Sequence, residues 1–168
     1  MFVIVEYDEK YNEQIKDLLV ELQNYLIDID DWHTQVLIPE YREKYFEMDM
    51  KKVEMQDGKI FLSIEDELVN GLIVGVIETV DEIDKLTNDC AKTGVILELI
   101  VSKKYRENGV GKILLNKVEE HFKKVGCVRT NIEVFGPNIG GLKFYEKMDM
   151  LWEIWLFLKS YRIEIEQN

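Results

Sequence analysis

The spacing of apolar residues along the chain alternates between two and three-to-four, and each change of spacing marks a new element. Residues 2–7 are rich in β-branched and aromatic types and read as a strand. Ile15, Leu18, Leu19, Leu22 and Leu26 then fall on one helical stripe, which predicts a helix from about residue 9 to 27. Asp28-Ile29-Asp30-Asp31-Trp32-His33 breaks that period, and Pro39 suits the first turn of a second helix that carries Tyr41, Tyr45 and Met48 to about Val53. After the Asp57-Gly58 turn, residues 60–64 and 68–79 read as two strands of a hairpin joined by Glu65-Asp66-Glu67. Gly71 and Gly75 inside its second arm signal a bulge or a close neighbour.

The polar stretch 81–93 reads as a loop, and residues 95–101 as a nearly continuous apolar strand, which implies a central place in a sheet with both faces covered. Leu114, Leu115, Val118, Phe122 and Val125 form the stripe of the next helix, ended by Gly126. A strand over 128–135, a helix over 138–148, an apolar strand over 151–158 and an alternating segment around Tyr161, Ile163 and Ile165 complete the pattern. The order is β-α-α-β-β-β-α-β-α-β with one optional further strand, an α/β class with a mixed sheet flanked by helices. At 168 residues and 46% hydrophobic content the expectation is one domain over residues 1–168, with material for a full core. No apolar run approaches the roughly 20 residues that cross a bilayer, and the start lacks a basic flank, so a soluble cytoplasmic protein is expected.

Charge alters this picture at one place. The chain holds 33 acidic and 21 basic residues, a formal net charge of −12, yet Lys103, Lys104, Arg106 and Lys112 fall within ten positions. They flank Glu107-Asn108-Gly109-Val110-Gly111, between the apolar strand and a helix start. A helix start offers unpaired N–H groups and a partial positive charge, and glycines let an anion approach that backbone. The segment reads as a pyrophosphate cradle. A Walker A loop is excluded, because Gly111-Lys112 is followed by Ile113 and Arg106 stands where the first glycine would be. A dinucleotide fingerprint fails at Leu114, in place of its third glycine, and at the long turn before Gly109. The acidic balance argues against a nucleic-acid partner. Cys90, Cys127, His33 and His121 are isolated, with no metal-ligand spacing, so no metal is expected.

Arg106-Glu107-Asn108-Gly109-Val110-Gly111 resembles the Arg/Gln-x-x-Gly-x-Gly/Ala motif of the GNAT superfamily of N-acetyltransferases at every defined position. About thirty residues on, Asn138-Ile139-Gly140-Gly141-Leu142-Lys143-Phe144-Tyr145-Glu146-Lys147 resembles that superfamily's Asn-x-x-Ala-x-x-Phe/Leu-Tyr-Glu-Lys segment, with Gly141 in place of Ala. Asp149-Met150 replace the usual Gly-Phe after it, so the helix must be capped differently. The resemblance implies a strongly twisted GNAT-like sheet whose strands from Val95 and Val128 run parallel and splay apart, and acetyl-coenzyme A as acetyl donor. It implies contacts from Arg106, Glu107, Asn108, Gly109, Val110, Gly111 and Lys112 to the pyrophosphate. The strand residues Leu99, Ile100 and Val101 would serve the pantetheine arm and the oxyanion through their backbone, and Asn138 would touch that arm or simply cap its helix.

Acetyl transfer to an amine needs a base, oxyanion stabilisation and a proton for the thiolate. By motif register Tyr145 is the general acid, against a packing role beside Phe144. Glu98 stands in the most apolar strand, where an unpaired carboxylate costs several kcal/mol. It is the candidate base, or else a structural acid paired to Lys or Arg. Glu133, on the strand that would line the other side of the cleft, is the competing base. Trp32, Tyr41 and Tyr45 lie in the region that shapes the acceptor pocket in related folds. Asp28, Asp30, Asp31 and Glu40 there would favour a cationic small-molecule or peptide amine. A non-catalytic acetyl-coenzyme A sensor of the same fold is the alternative, no membrane partner is expected, and a homodimer is left open.

Overall fold

The computed structural model describes residues 1–79, 86 and 92–150. Cys90, most of the loop expected at 81–93, and the strands expected after residue 150 lie outside the described residues. The described elements are β1 (Val3–Glu6), α1 (Asn12–Asp28), α2 (Tyr41–Met55), β2 (Lys59–Glu65), β3 (Leu68–Thr79), β4 (Lys92–Val101), α3 (Val110–Lys124), β5 (Arg129–Ile132) and α4 (Ile139–Glu146). They follow the expected order as far as α4. Pro39 lies just before α2 rather than in its first turn, since Glu40 is the N-cap. β5 is half the length expected.

The five strands form one sheet in sequence order, antiparallel from β1 to β4 and parallel between β4 and β5. Asp66 and Glu67 both take positive φ, the geometry of a two-residue hairpin turn whose twist matches the strands it joins. Helices cover both faces. Ile15, Leu18 and Leu19 of α1 and Phe46 of α2 pack on Leu62, Leu72, Val74 and Ile100. Val110, Leu114, Leu115, Val118 and Phe122 of α3 pack on Phe61, Ile73 and Ile96 on the opposite face. Phe122 lies so close to the sheet that a Cβ at Gly94 would come within 2.2 Å of its ring. That close approach is why a glycine interrupts the strand.

Two departures from regular pairing position the site. Val74 pairs with Glu98 but Gly75 pairs with Ile96, so Leu97 is an extra residue in β4. Ile96, Leu99 and Val101 therefore belong to the α3 side, while Leu97 and Ile100 belong to the α1/α2 side. The second departure is at β5. Its pairing with β4 runs from Thr93↔Arg129 to Ile96↔Ile132 and stops there, while β4 continues to Val101. The expected parallel pairing of the two strands is present, and it ends with β5 at Ile132.

Candidate active site

Arg106 opens the turn into α3 in extended conformation, Glu107 takes φ 66°, and Gly109 caps the helix at φ 80°. The left-handed conformation at Gly109 turns the chain so that α3 begins with its amides facing outward. Residues 106–109 and Lys112 are exposed, whereas Val110 is buried and anchors the first turn in the core. Nothing lies within 4 Å of where a Cβ at Gly109 would stand. The first N–H groups of α3 thus open onto free space beside Lys112. Arg106 itself faces the other way. Its Nε donates to the Val101 carbonyl at 3.0 Å, and its guanidinium lies 5.1 Å from the Tyr25 ring centroid on α1. Its role in this geometry is to pin the turn.

Tyr25 extends the link. Its hydroxyl donates to Asn138 Oδ1 at 3.1 Å, and the same oxygen accepts the Gly141 N–H at 2.9 Å. Asn138 is therefore the N-cap of α4. The cap also accounts for Gly141, since a Cβ there would come within 2.6 Å of Asn138 Nδ2. Nothing in the sequence pointed to Tyr25, which connects the α3 turn to the helix carrying Tyr145.

Glu98 is 5% exposed. Simple strand alternation from Ile96 would aim it at α3, but the Leu97 bulge turns it toward α2, where the Tyr45 hydroxyl donates to its Oε1 at 2.7 Å. Among the described residues its partner is a hydroxyl and not a Lys or Arg. Burial pushes its carboxyl up to about 7, partly opposed by the Tyr45 hydrogen bond and further raised by the charge of Asp49. Asp49, one helical turn beyond Tyr45, is 6% exposed, and burial raises it to about 6. Tyr41 stacks on Tyr45 at 4.8 Å between centroids. Burial and then the charge of Glu98 raise the hydroxyls of Tyr41, Tyr45 and Tyr145 above their ordinary value. Each of these tyrosines stays protonated at neutral pH, and Tyr41 and Tyr45 also feel the charge of Asp49.

Tyr145 is partly buried, edge-on to Phe144 at 5.1 Å, and within the field of Glu98. Leu99 and Val101 lie on the stretch of β4 beyond its pairing with β5, and the Ile100 side chain is buried in the α1/α2 core. Glu133 lies just past the end of β5 and is exposed. Among the loop acids, Asp30 turns inward. Its carboxylate accepts from the Trp32, Thr34 and Gln35 amides and the Thr34 hydroxyl, so it is the brace of the 30–35 loop. Asp28, Asp31 and Glu40 are exposed. A cleft of about 590 Å³ beside the Arg106 turn is lined by Asp17, Tyr25, Asp28, Arg42 and Lys103, and none of the residues around Glu98 borders it. Among the described residues no group of three or more His, Cys, Asp or Glu could hold a metal, and no helix is long and apolar enough to cross a membrane.

The sequence model of the acetyltransferase (GNAT) family matches residues 24–150. The fold is similar to that of a putative acetyl transferase from Pyrococcus furiosus, at 24% identity over 96% of this chain and 100% of that one, with a TM-score of 0.72. Glucosamine-6-phosphate N-acetyltransferase from Arabidopsis thaliana is 19% identical over 96% and 99% of the two chains, with a TM-score of 0.64. AAC(6')-Iy, solved with the bisubstrate analog CoA-S-monomethyl-acetylneamine, is 14% identical over 97% and 99%, with a TM-score of 0.66. At these identities the likeness is one of fold.

Proposed function

The chain belongs to the acetyltransferase (GNAT) family, and from that premise we propose that it is an N-acetyltransferase moving an acetyl group from acetyl-coenzyme A to a primary amine, with Glu98 as base and Tyr145 as acid. The observation that carries this reading is the buried Glu98 carboxyl, held by Tyr45, raised to about 7 and without an ion pair among the described residues. A carboxyl in that range accepts a proton near neutral pH and gives it up again, which a surface glutamate does poorly.

The residues present fit a coenzyme A thioester on two counts. The space over Gly109 and the outward amides of α3 would receive the pyrophosphate, with Lys112 beside them. The stretch of β4 from Leu99 to Val101, left unpaired by β5, would receive the pantetheine arm. The thioester supplies an activated acetyl group. The protein supplies the rest of the chemistry. Glu98 takes the proton of the arriving ammonium, and Tyr145, kept protonated by burial, holds the proton destined for the leaving sulfur. Glu133, exposed beyond β5, is the weaker candidate base, because it is not buried as Glu98 is. The solved relative bound to a coenzyme A–amine bisubstrate analog supports an amine acceptor. The test is release of free thiol from acetyl-coenzyme A across a panel of amines. Turnover with amines supports the reading. Binding of acetyl-coenzyme A without thiol release for any amine overturns it in favour of a sensor module.

A further inference from the structure

Asp49 has no task in the acetyl-transfer chemistry as set out above. It lies on α2 in the row Tyr41, Tyr45, Asp49, spaced four residues apart, so all three project from one face of the helix. Tyr45 reaches Glu98 from that face. The Cα of Asp49 is about 6 Å further along the axis. Asp49 is only 6% exposed, and its buried Oδ2 has no hydrogen-bond partner among the described residues. Lys52, the nearest cation on the helix, is exposed and makes no ion pair with it among those residues. A buried carboxylate oxygen without a partner is costly, and natural folds keep one where a ligand completes it.

The charge balance of the reaction indicates which ligand. An amine arrives as an ammonium and surrenders its proton to Glu98, after which it is a neutral nucleophile. Glu98 is then neutral as well, so Asp49 is left as a buried carboxylate beside a neutral nitrogen and lacks a counter-charge. A second ammonium on the same acceptor supplies it, and the stacked faces of Tyr41 and Tyr45 offer that cation an aromatic wall.

We propose that the acceptor is a short diamine or a longer polyamine, and that Asp49 binds the ammonium that does not react. This rests on the amine-acetylation reading and adds a specificity-determining residue to it. The site is buried, so its preference persists as salt rises, whereas attraction by the exposed Asp28, Asp31 and Glu40 is screened.

Two measurements test it. The first is kcat/KM for 1,4-diaminobutane against n-butylamine in 0.5 M salt, for the wild type and for Asp49→Asn. A diamine preference of tenfold or more, falling toward one in the variant, supports the site. Equal turnover of the two amines by the wild type, or a preference that survives Asp49→Asn, overturns it. The second is calorimetry of 1,4-diaminobutane binding to the coenzyme A-saturated protein at pH 6, in two buffers of different ionisation enthalpy. Asp49, Glu98, Tyr41, Tyr45 and Lys52 are the titratable groups at the site, with Tyr145 facing Glu98 from α4. At that pH the tyrosines keep their protons, and the half-protonated Asp49 releases its proton when a cation settles beside it. Glu98 releases its proton to the buffer when either ammonium settles beside it, so the excess for the diamine over n-butylamine reports Asp49. No excess overturns the proposal. If neither amine is acetylated, the transfer reading fails while calorimetry still decides the diammonium site. If Asp49→Asn does not fold, the wild-type ratio and proton release decide it.

Discussion

The turn at residues 106–112 and the acid cluster around Glu98 are built on the same strand by opposite means. The turn works through backbone. Its donors are main-chain N–H groups, its key residue has no side chain, and all its parts lie within seven positions. The cluster works through side chains from α2, β4 and α4, and Glu98 meets Tyr45 across 53 positions of sequence. A backbone site is robust to most neighbouring substitutions but intolerant at its glycine. A side-chain site in a dry core is chemically potent and costs stability, because every ionised group there has lost its water.

Glu98→Gln separates the two most sharply. It removes the proposed base while keeping an acceptor for the Tyr45 hydroxyl, so turnover is expected to fall by about 10²–10⁴. Coenzyme A affinity, which the proposed reading sets at the turn, stays within about twofold. Stability moves the other way. The native carboxyl is raised from 4.5 to about 7, so the native state holds the proton more tightly than the unfolded chain. The stability this provides is fully present below about pH 4.5 and is lost as pH rises through about 7. At pH 8 the wild type therefore carries a cost on the order of 2–3 kcal/mol that the glutamine lacks. Denaturant melts at pH 5 and pH 8 check this: the gain from Glu98→Gln grows with pH, and an equal gain at both breaks the burial account. In the wild type, kcat/KM rises with pH through about 7 as Glu98 loses its proton.

Tyr145→Phe is next in size. Among the described residues no hydrogen bond to the Tyr145 hydroxyl is found, and its ring packs edge-on to Phe144, so the substitution keeps the packing. As general acid its loss lowers kcat by roughly a hundredfold, with coenzyme A affinity unaltered. An unchanged kcat, where chemistry limits turnover, returns Tyr145 to packing.

Gly109→Val probes the other region. No neighbour stands in the way of the new side chain, so the fold survives with a strain of about 1–2 kcal/mol from its φ of 80°. The valine then occupies the space over the α3 amides, and coenzyme A binding weakens by about tenfold or more. Intact affinity would move the anion site away from this turn.

The same contrast governs what could be read from the sequence. The turn was legible because its chemistry follows from residue order alone: a strand, a basic turn, two glycines and an amphipathic stripe. The helices were legible for the same reason, and the parallel β4–β5 pairing followed from resemblance. Glu98 was visible as an acid out of place in an apolar run, but its partner was not, because the Leu97 bulge reverses the face it points to and nothing local marks that bulge. Asp49 escaped notice altogether. In sequence it sits among other charges on α2, and only the packing of that helix on β4 distinguishes it from exposed neighbours such as Glu47 and Lys51. Asp30 was misjudged for the converse reason: a run of acids near the pocket read as surface charge, while one of them braces its own loop.

The smallest expected effect falls where the sequence departs from the resemblance. α4 ends with the Met150 N–H bonded to the Tyr145 carbonyl and the Asp149 N–H to that of Glu146, a Schellman pattern with Asp149 left-handed at φ 60°. The pattern wants glycine at that position, and aspartate adopts it at a cost. Asp149→Gly therefore relieves about 1 kcal/mol of backbone strain, offset in part by the greater freedom of glycine in the unfolded chain. A net gain of about 0.5 kcal/mol is expected in denaturant melts, with coenzyme A affinity unaltered, since the turn at Gly109 does not depend on this cap. A loss of stability would mean that the Asp149 side chain contributes an interaction that outweighs its strained backbone, and that the departure from glycine serves the helix that carries Tyr145.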